Sequence, residues 1–159
     1  MSHQWLFTLK LFSVLGCGLI AGVFFAFSTF VMRALAQRPS AEGIAAMQAI
    51  NTAVINPWFM AAFLGTAVTC LVMAVASALR WTQPESYVLI ASLFYLVGSF
   101  GVTIMFNVPL NDALAIVKPG SSEGGSLWAN YLINWTFWNH VRTIASLVAA
   151  ALFTIALMK

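Results

Sequence analysis

Nine residues late in the chain hold most of its unusual chemistry: Trp135-Thr136-Phe137-Trp138-Asn139-His140-Val141-Arg142-Thr143. On a helix, at about 100° per residue, Trp135, Trp138, Asn139, Arg142 and Ser146 share one face. Thr136, His140 and Thr143 occupy the adjoining arc. An imidazole is well suited to taking a proton as a general base. A guanidinium and amide N–H groups can hold negative charge as it develops on oxygen. Indole rings can stack on a flat apolar ligand. Together these groups suit proton abstraction beside a carbonyl and stabilisation of the resulting enolate. Trp138 and Arg142, four apart, also allow the guanidinium to lie over the indole. The plainer alternative is that Arg142 snorkels to lipid headgroups and the tryptophans anchor the interface. It leaves the coincidence of Asn139, His140 and Arg142 unexplained.

Further amides stand at the ends of other apolar runs: Asn51, Asn56, Asn107 and Asn111, the last followed by Asp112. A buried polar group without a partner costs about 1–3 kcal/mol, so such groups should satisfy one another or a ligand. The expected site therefore has His140, Arg142 and Asn139 as catalytic groups. Asn51, Asn107, Asn111, Trp135 and Trp138 would bind substrate. No metal ligand set is assigned. Zinc and iron sites draw on several convergent His, Cys and carboxylate groups. Here there are two histidines, and Cys17 and Cys70 sit within apolar runs as small hydrophobes. A metal held by His140 and Asp112 with asparagines, or a haem on His140 alone, stays open as an alternative. There is no G-x-S-x-G elbow, and Gly124-Gly125 lacks the Lys-Ser/Thr of a phosphate loop.

These groups must be positioned by membrane helices. The 159 residues are 62% hydrophobic and only 7% charged, against about 25% charged in a soluble domain. The net charge of +3 is scattered, which excludes a nucleic-acid footprint. About 20 apolar residues cross a bilayer core. Four such runs place spans near residues 8–32, 57–80, 87–107 and 135–158. The fold expected is an all-α four-transmembrane-helix bundle, up-down-up-down, forming one domain over residues 1–159. Gly18 and Gly22 form a small-xxx-small pair expected to bring helices close. Ser40, as N-cap with Glu42 behind it, starts a short amphipathic helix between spans 1 and 2. It carries Ile44, Met47 and Ile50 on one stripe and lies on the interface or folds over the bundle mouth. Asn56-Pro57 starts the second span, with Pro57 in a tolerated first-turn position. Arg80-Trp81 closes that span, and Thr82-Gln83-Pro84-Glu85-Ser86 makes a short link to an antiparallel neighbour. Ser92, Tyr95, Ser99 and Thr103 form a hydroxyl stripe facing the bundle interior. Pro109 should disrupt the third helix. Residues 126–134 form an aromatic lead-in to the last span, with Trp128 and Tyr131 at the interface. Four spans put both termini on one side, here assigned to the cytoplasm of a plasma (inner) membrane. The amides and residues 135–143 then gather at the opposite, long-loop end.

Five runs also carry a family resemblance. They are Val23-Phe24-Phe25-Ala26-Phe27-Ser28, Met47-Gln48-Ala49-Ile50-Asn51, Asn56-Pro57-Trp58-Phe59, Asn107-Val108-Pro109-Leu110-Asn111 and Trp138-Asn139-His140-Val141-Arg142-Thr143. Taken in order, they resemble the anthrone oxygenase-like family of small four-helix membrane proteins, much of it described only as a domain of unknown function. The resemblance implies conversion of a polyketide anthrone to an anthraquinone, with dioxygen as co-substrate and no organic cofactor. It also implies as partners a lipid bilayer and a hydrophobic aromatic small molecule, and it is compatible with a homo-oligomer. In residue terms, His140 would be the base, Arg142 and Asn139 would steady the enolate oxygen, and Asn107 and Asn111 would orient substrate or peroxide. A non-catalytic protein binding a lipid, a quinone or a protein partner through the same pocket is the alternative.

Overall fold

Hydrocarbon-length apolar runs leave the backbone no solvent to bond, so helix is the form they take. The structure, a computed structural model, describes residues 3–80 and 83–159; Trp81, expected to close the second span, and Thr82, the first residue of the expected link, lie outside the described residues. Among the described residues there is helix and no strand. The chain runs through α1 (His3–Ala26), a π-helical stretch (Phe27–Val31), α2 (Met32–Ala36), α3 (Ser40–Ala53), α4 (Pro57–Arg80) and α5 (Gln83–Leu93). Two further π-helical stretches (Phe94–Gly101 and Thr103–Asn107), α6 (Val108–Ala115) and α7 (Ser122–Leu157) complete it. Four continuous segments are long and apolar enough to cross a membrane: Gln4–Ala36, Pro57–Leu79, Glu85–Ala115 and Ser122–Leu157. The protein is an all-α membrane protein.

Side-chain contacts fix the register of neighbouring helices. Lys10 Nζ donates to the Ala156 carbonyl (3.5 Å) and Asn139 Nδ2 to the Phe24 carbonyl (2.7 Å), so α1 and α7 run antiparallel. Ser13 bonds Thr69 (3.3 Å), and one turn on Gly16 meets Thr66, so α1 and α4 do the same. Ser146 bonds Ser99 (3.0 Å), and Arg142 bonds Thr103 (3.2 Å), pairing α7 with the third segment. The apolar interior has two parts. One, around Cys17, Ile20, Cys70, Tyr95 and Phe153, fills the bundle towards the termini. The other, built from Met32, Ile44, Met47, Leu114, Trp128 and Tyr131, closes the long-loop end.

That second cluster is where the chain departs from expectation. α7 begins at Ser122 and not near residue 135, capped by Ser121 Oγ accepting from the Gly124 N–H (3.0 Å). The expected lead-in is therefore its first turns. Trp128 and Tyr131 are buried under α3 and are not interface anchors. α3 folds over the bundle end with Ile44 and Met47 inward, and Gln48 Nε2 ties it to the carbonyls of Leu114 (2.8 Å) and Val117 (2.9 Å). Its close seat depends on Gly43, where a Cβ would lie 2.7 Å from the Trp128 ring. Ser40 is the first helical residue of α3, and the N-cap position falls on Pro39 without a side-chain cap. Pro109 does not end the third segment. It occupies the first turn of α6, directly after the π turn Thr103–Asn107, where its missing N–H costs little. Gly18 and Gly22 face outward with nothing within 4 Å, and the close approach on α1 is made by Gly16. The start of α4 is as expected: Asn56 Oδ1 accepts from the N–H groups of Trp58 (3.1 Å) and Phe59 (3.0 Å) ahead of Pro57.

Candidate functional site

The inward face of α7 repeats at helical spacing through Trp128, Tyr131, Trp135, Asn139, Arg142 and Ser146, all buried. Arg142 is only 5% exposed, which rules out snorkelling to the headgroups. Its guanidinium carbon lies 4.0 Å from the centre of the Phe24 ring and 5.1 Å from that of Trp135. Both rings present π faces to the cation. Trp138, expected to be the partner, instead stacks on Phe106 with centroids 3.7 Å apart and planes 9° from parallel.

Polar contacts hold the guanidinium from two sides. Arg142 Nη2 donates to Asn139 Oδ1 (2.7 Å), and Nη1 donates to Thr103 Oγ1 (3.2 Å). Asn139 Nδ2 in turn donates to the Phe24 carbonyl (2.7 Å) and Ser28 Oγ (2.8 Å). Ser28 Oγ bonds Thr143 Oγ1 (3.0 Å), and Thr143 donates to the Asn139 carbonyl (2.8 Å). The two flanks of this network are the π-helical stretches Phe27–Val31 and Thr103–Asn107. In each, the N–H closing the turn reaches five residues back: Met32 to Phe27 and Val108 to Thr103. Such turns shift the backbone ladder and occur often at functional sites.

Two buried polar atoms have no partner among the described residues: Arg142 Nε and Asn107 Oδ1. Asn107 is anchored by its other end, Nδ2 donating to the Trp135 carbonyl (3.2 Å). Of the four acidic residues, none pairs with Arg142. Glu42 pairs with Arg38 on the exposed face of α3, Glu85 accepts from Ser77, and Asp112 and Glu123 are exposed. The one ion pair among the described residues is Arg38–Glu42. Arg142 is thus a buried cation held by neutral groups, an arrangement that favours an anion arriving from outside.

The aromatic side chains continue the site towards α3. Trp128, Tyr131 and Trp135 form a ladder, with centroids 5.6 and then 5.9 Å apart and planes within 19° of parallel. Asn111 Oδ1 accepts from both the Tyr131 hydroxyl and Trp135 Nε1 (2.8 Å each). Asn51, half-buried on α3, lies on the side of the same tyrosine hydroxyl. Of the eight residues expected at the site, seven thus surround the inward face of α7: Asn51, Asn107, Asn111, Trp135, Trp138, Asn139 and Arg142.

His140 is the exception. It lies on the outer face of α7, exposed, between Phe137 (56% exposed) and Ile144 (61%). The reason is angular. Asn139 and Arg142 define the inward direction, and His140 stands about 100° round from the former. Asp112, the carboxylate considered beside it, is also exposed. No group of three or more His, Cys, Asp or Glu side chains lies together among the described residues. Sequence reading did not single out Phe24, Phe106 or Tyr131 for the site, because aromatics are ordinary in membrane helices. Thr103 was legible as part of the hydroxyl stripe expected to face the bundle interior; Ser28 was not placed on an inward face.

A family model described as anthrone oxygenase matches residues 57–152, which include α4, the whole third segment and the Arg142 network on α7. No curated protein and no solved structure matches the chain.

Proposed function

Because this chain belongs to the anthrone oxygenase family, we propose that it oxidises a flat phenolic ketone with dioxygen at the buried polar groups of Arg142 and Asn107, beside Trp135. The observation that carries the reading is the buried guanidinium with no acidic partner, its Nε unpaired, together with the unpaired Oδ1 of Asn107, whose Nδ2 bonds the Trp135 carbonyl. Arg142 holds the ketone oxygen and stabilises the enolate formed when the CH2 opposite it in the same ring, conjugated with it through the aromatic carbons, loses a proton. Stabilising that anion makes the carbon more acidic, so a weak acceptor such as water can take the proton. The electron-rich enolate carbon then bonds to dioxygen and forms a hydroperoxide. Loss of water leaves a second carbonyl. In balance, CH2 plus O2 gives C=O plus H2O, the four electrons coming from that carbon. Asn139 keeps the guanidinium in place, and Asn107 orients the substrate through a hydroxyl. The exposed His140 has no part in the proposed step. The chain works as one domain whose four spans cross a plasma (inner) membrane up-down-up-down, termini in the cytoplasm.

Oxygen uptake by the protein reconstituted in liposomes tests this. A hydroxylated anthrone should consume one dioxygen per molecule and give the anthraquinone spectrum. Arg142→Ala should lower turnover by about 10²–10³, the loss expected for a donor to a developing oxyanion. Uptake no faster than in empty liposomes, or an Arg142→Ala protein as fast as the parent, would sink the proposal.

A further inference from the structure

A hydrophobic planar ligand bound this deep needs a way in from the bilayer, and one pair of rings lies where that way would be. Phe106 and Trp138 are stacked 3.7 Å apart, closer than the roughly 4.5–7 Å usual for aromatic pairs. Both are half-buried. Their outer neighbours Met105 (68% exposed) and Phe137 face the membrane. Their inner neighbours are the two residues with unpaired atoms: Asn107 follows Phe106 in the chain, and Arg142 is one turn on from Trp138. On each helix the pair thus stands between an exposed residue and one that carries an unpaired buried polar atom.

We infer that the Phe106–Trp138 pair is an aromatic clamp: it opens to the bilayer and takes a planar aromatic ligand between its two rings, with the ligand's oxygens turned to Arg142 and Asn107. The inference rests on the oxygenase reading for its ligand class. The rings trade one stack with each other for two with the ligand, so insertion keeps their apolar faces covered. Phe106 also belongs to the π turn Thr103–Asn107. A π turn holds one residue more than the α register, and one residue is about 100° of rotation. Its hydrogen-bond ladder is already shifted from the regular register there, so this turn can re-seat Phe106 more readily than a plain α turn. Trp138 is fixed on the regular helix α7, so the motion belongs to Phe106.

The clamp is tested with two readouts on the reconstituted full chain. Anthraquinone, which lacks the reactive CH2, serves as a binding probe through quenching of tryptophan fluorescence. Phe106→Leu and Trp138→Leu keep apolar bulk and remove the ring; Phe106→Tyr restores a ring. Each Leu variant should weaken anthraquinone binding about three- to tenfold, as for one lost stack. With anthrone the same variants should raise KM by a similar factor and leave kcat within about twofold. Phe106→Tyr should return both values to the parent range. Unchanged anthraquinone affinity and KM in both Leu variants, in protein shown by circular dichroism to be folded, overturns the clamp while leaving the oxygenase reading intact. Weakened anthraquinone binding in a chain that never consumes oxygen supports the clamp and removes the oxygenase instead.

Discussion

Arg142 and His140 are two residues apart, and burial separates them completely. One sits between Phe24 and Trp135 with its charge held by an amide and a hydroxyl; the other faces outward between Phe137 and Ile144. Sequence chemistry alone favours the histidine as the reactive group, since it is the natural base of the set. Helical angle decides otherwise, and a spacing of two residues was too fine to settle without the packing. His140→Ala should therefore keep turnover within about threefold of the parent, far from the 10²–10⁴ loss expected of a general base. Arg142→Lys should still lose at least about tenfold, because a compact ammonium cannot reach Asn139 and Thr103 together as the planar fork does. Initial rates of oxygen uptake for the two variants, measured side by side, decide this; a His140→Ala enzyme crippled as badly as Arg142→Lys would return the histidine to the chemistry.

At the scale of elements, the spans were legible because hydrocarbon length leaves a plain mark on a sequence. The hydroxyl stripe was legible too: Ser92, Tyr95 and Ser99 are buried, and Tyr95 Oη donates to the Phe63 carbonyl (3.0 Å). The π turns were not legible, since a shift of the hydrogen-bond ladder leaves no residue type behind. Glycines misled for a related reason. Spacing marks Gly18 and Gly22 as a contact surface, but which face of α1 meets α4 is set by the partner. On Gly16, a Cβ would lie 2.0 Å from Thr66 Oγ1 and 3.1 Å from its Cβ, and a β-branched side chain has little room to turn. Gly16→Ala should cost about 1–3 kcal/mol as overpacking. Gly18→Ala meets open space and should leave stability unchanged or slightly raised through better helix propensity. Thermal unfolding in one detergent compares them, and equal melting temperatures would show that the α1–α4 contact is looser than these distances imply.

For the whole molecule, the antiparallel register puts the start of α1 beside the end of α7, and the four-span reading expects both on one side of the membrane. Cysteines placed at Lys10 and Lys159 should react with a membrane-impermeant maleimide from one side, and a cysteine at Lys118 from the other. Labelling of Lys118 and Lys159 from the same side would break the four-span topology. The same architecture bears on how the protein is made. A lone arginine well inside a membrane segment costs about 2.5–3.5 kcal/mol to insert. The groups that receive it belong to the first segment, through Phe24 and Ser28 by way of Asn139, and to the third, through Thr103. Both are synthesised before α7. The arginine-bearing helix thus leaves the ribosome after both, when the side chains that accept its charge are already in the bilayer to meet it.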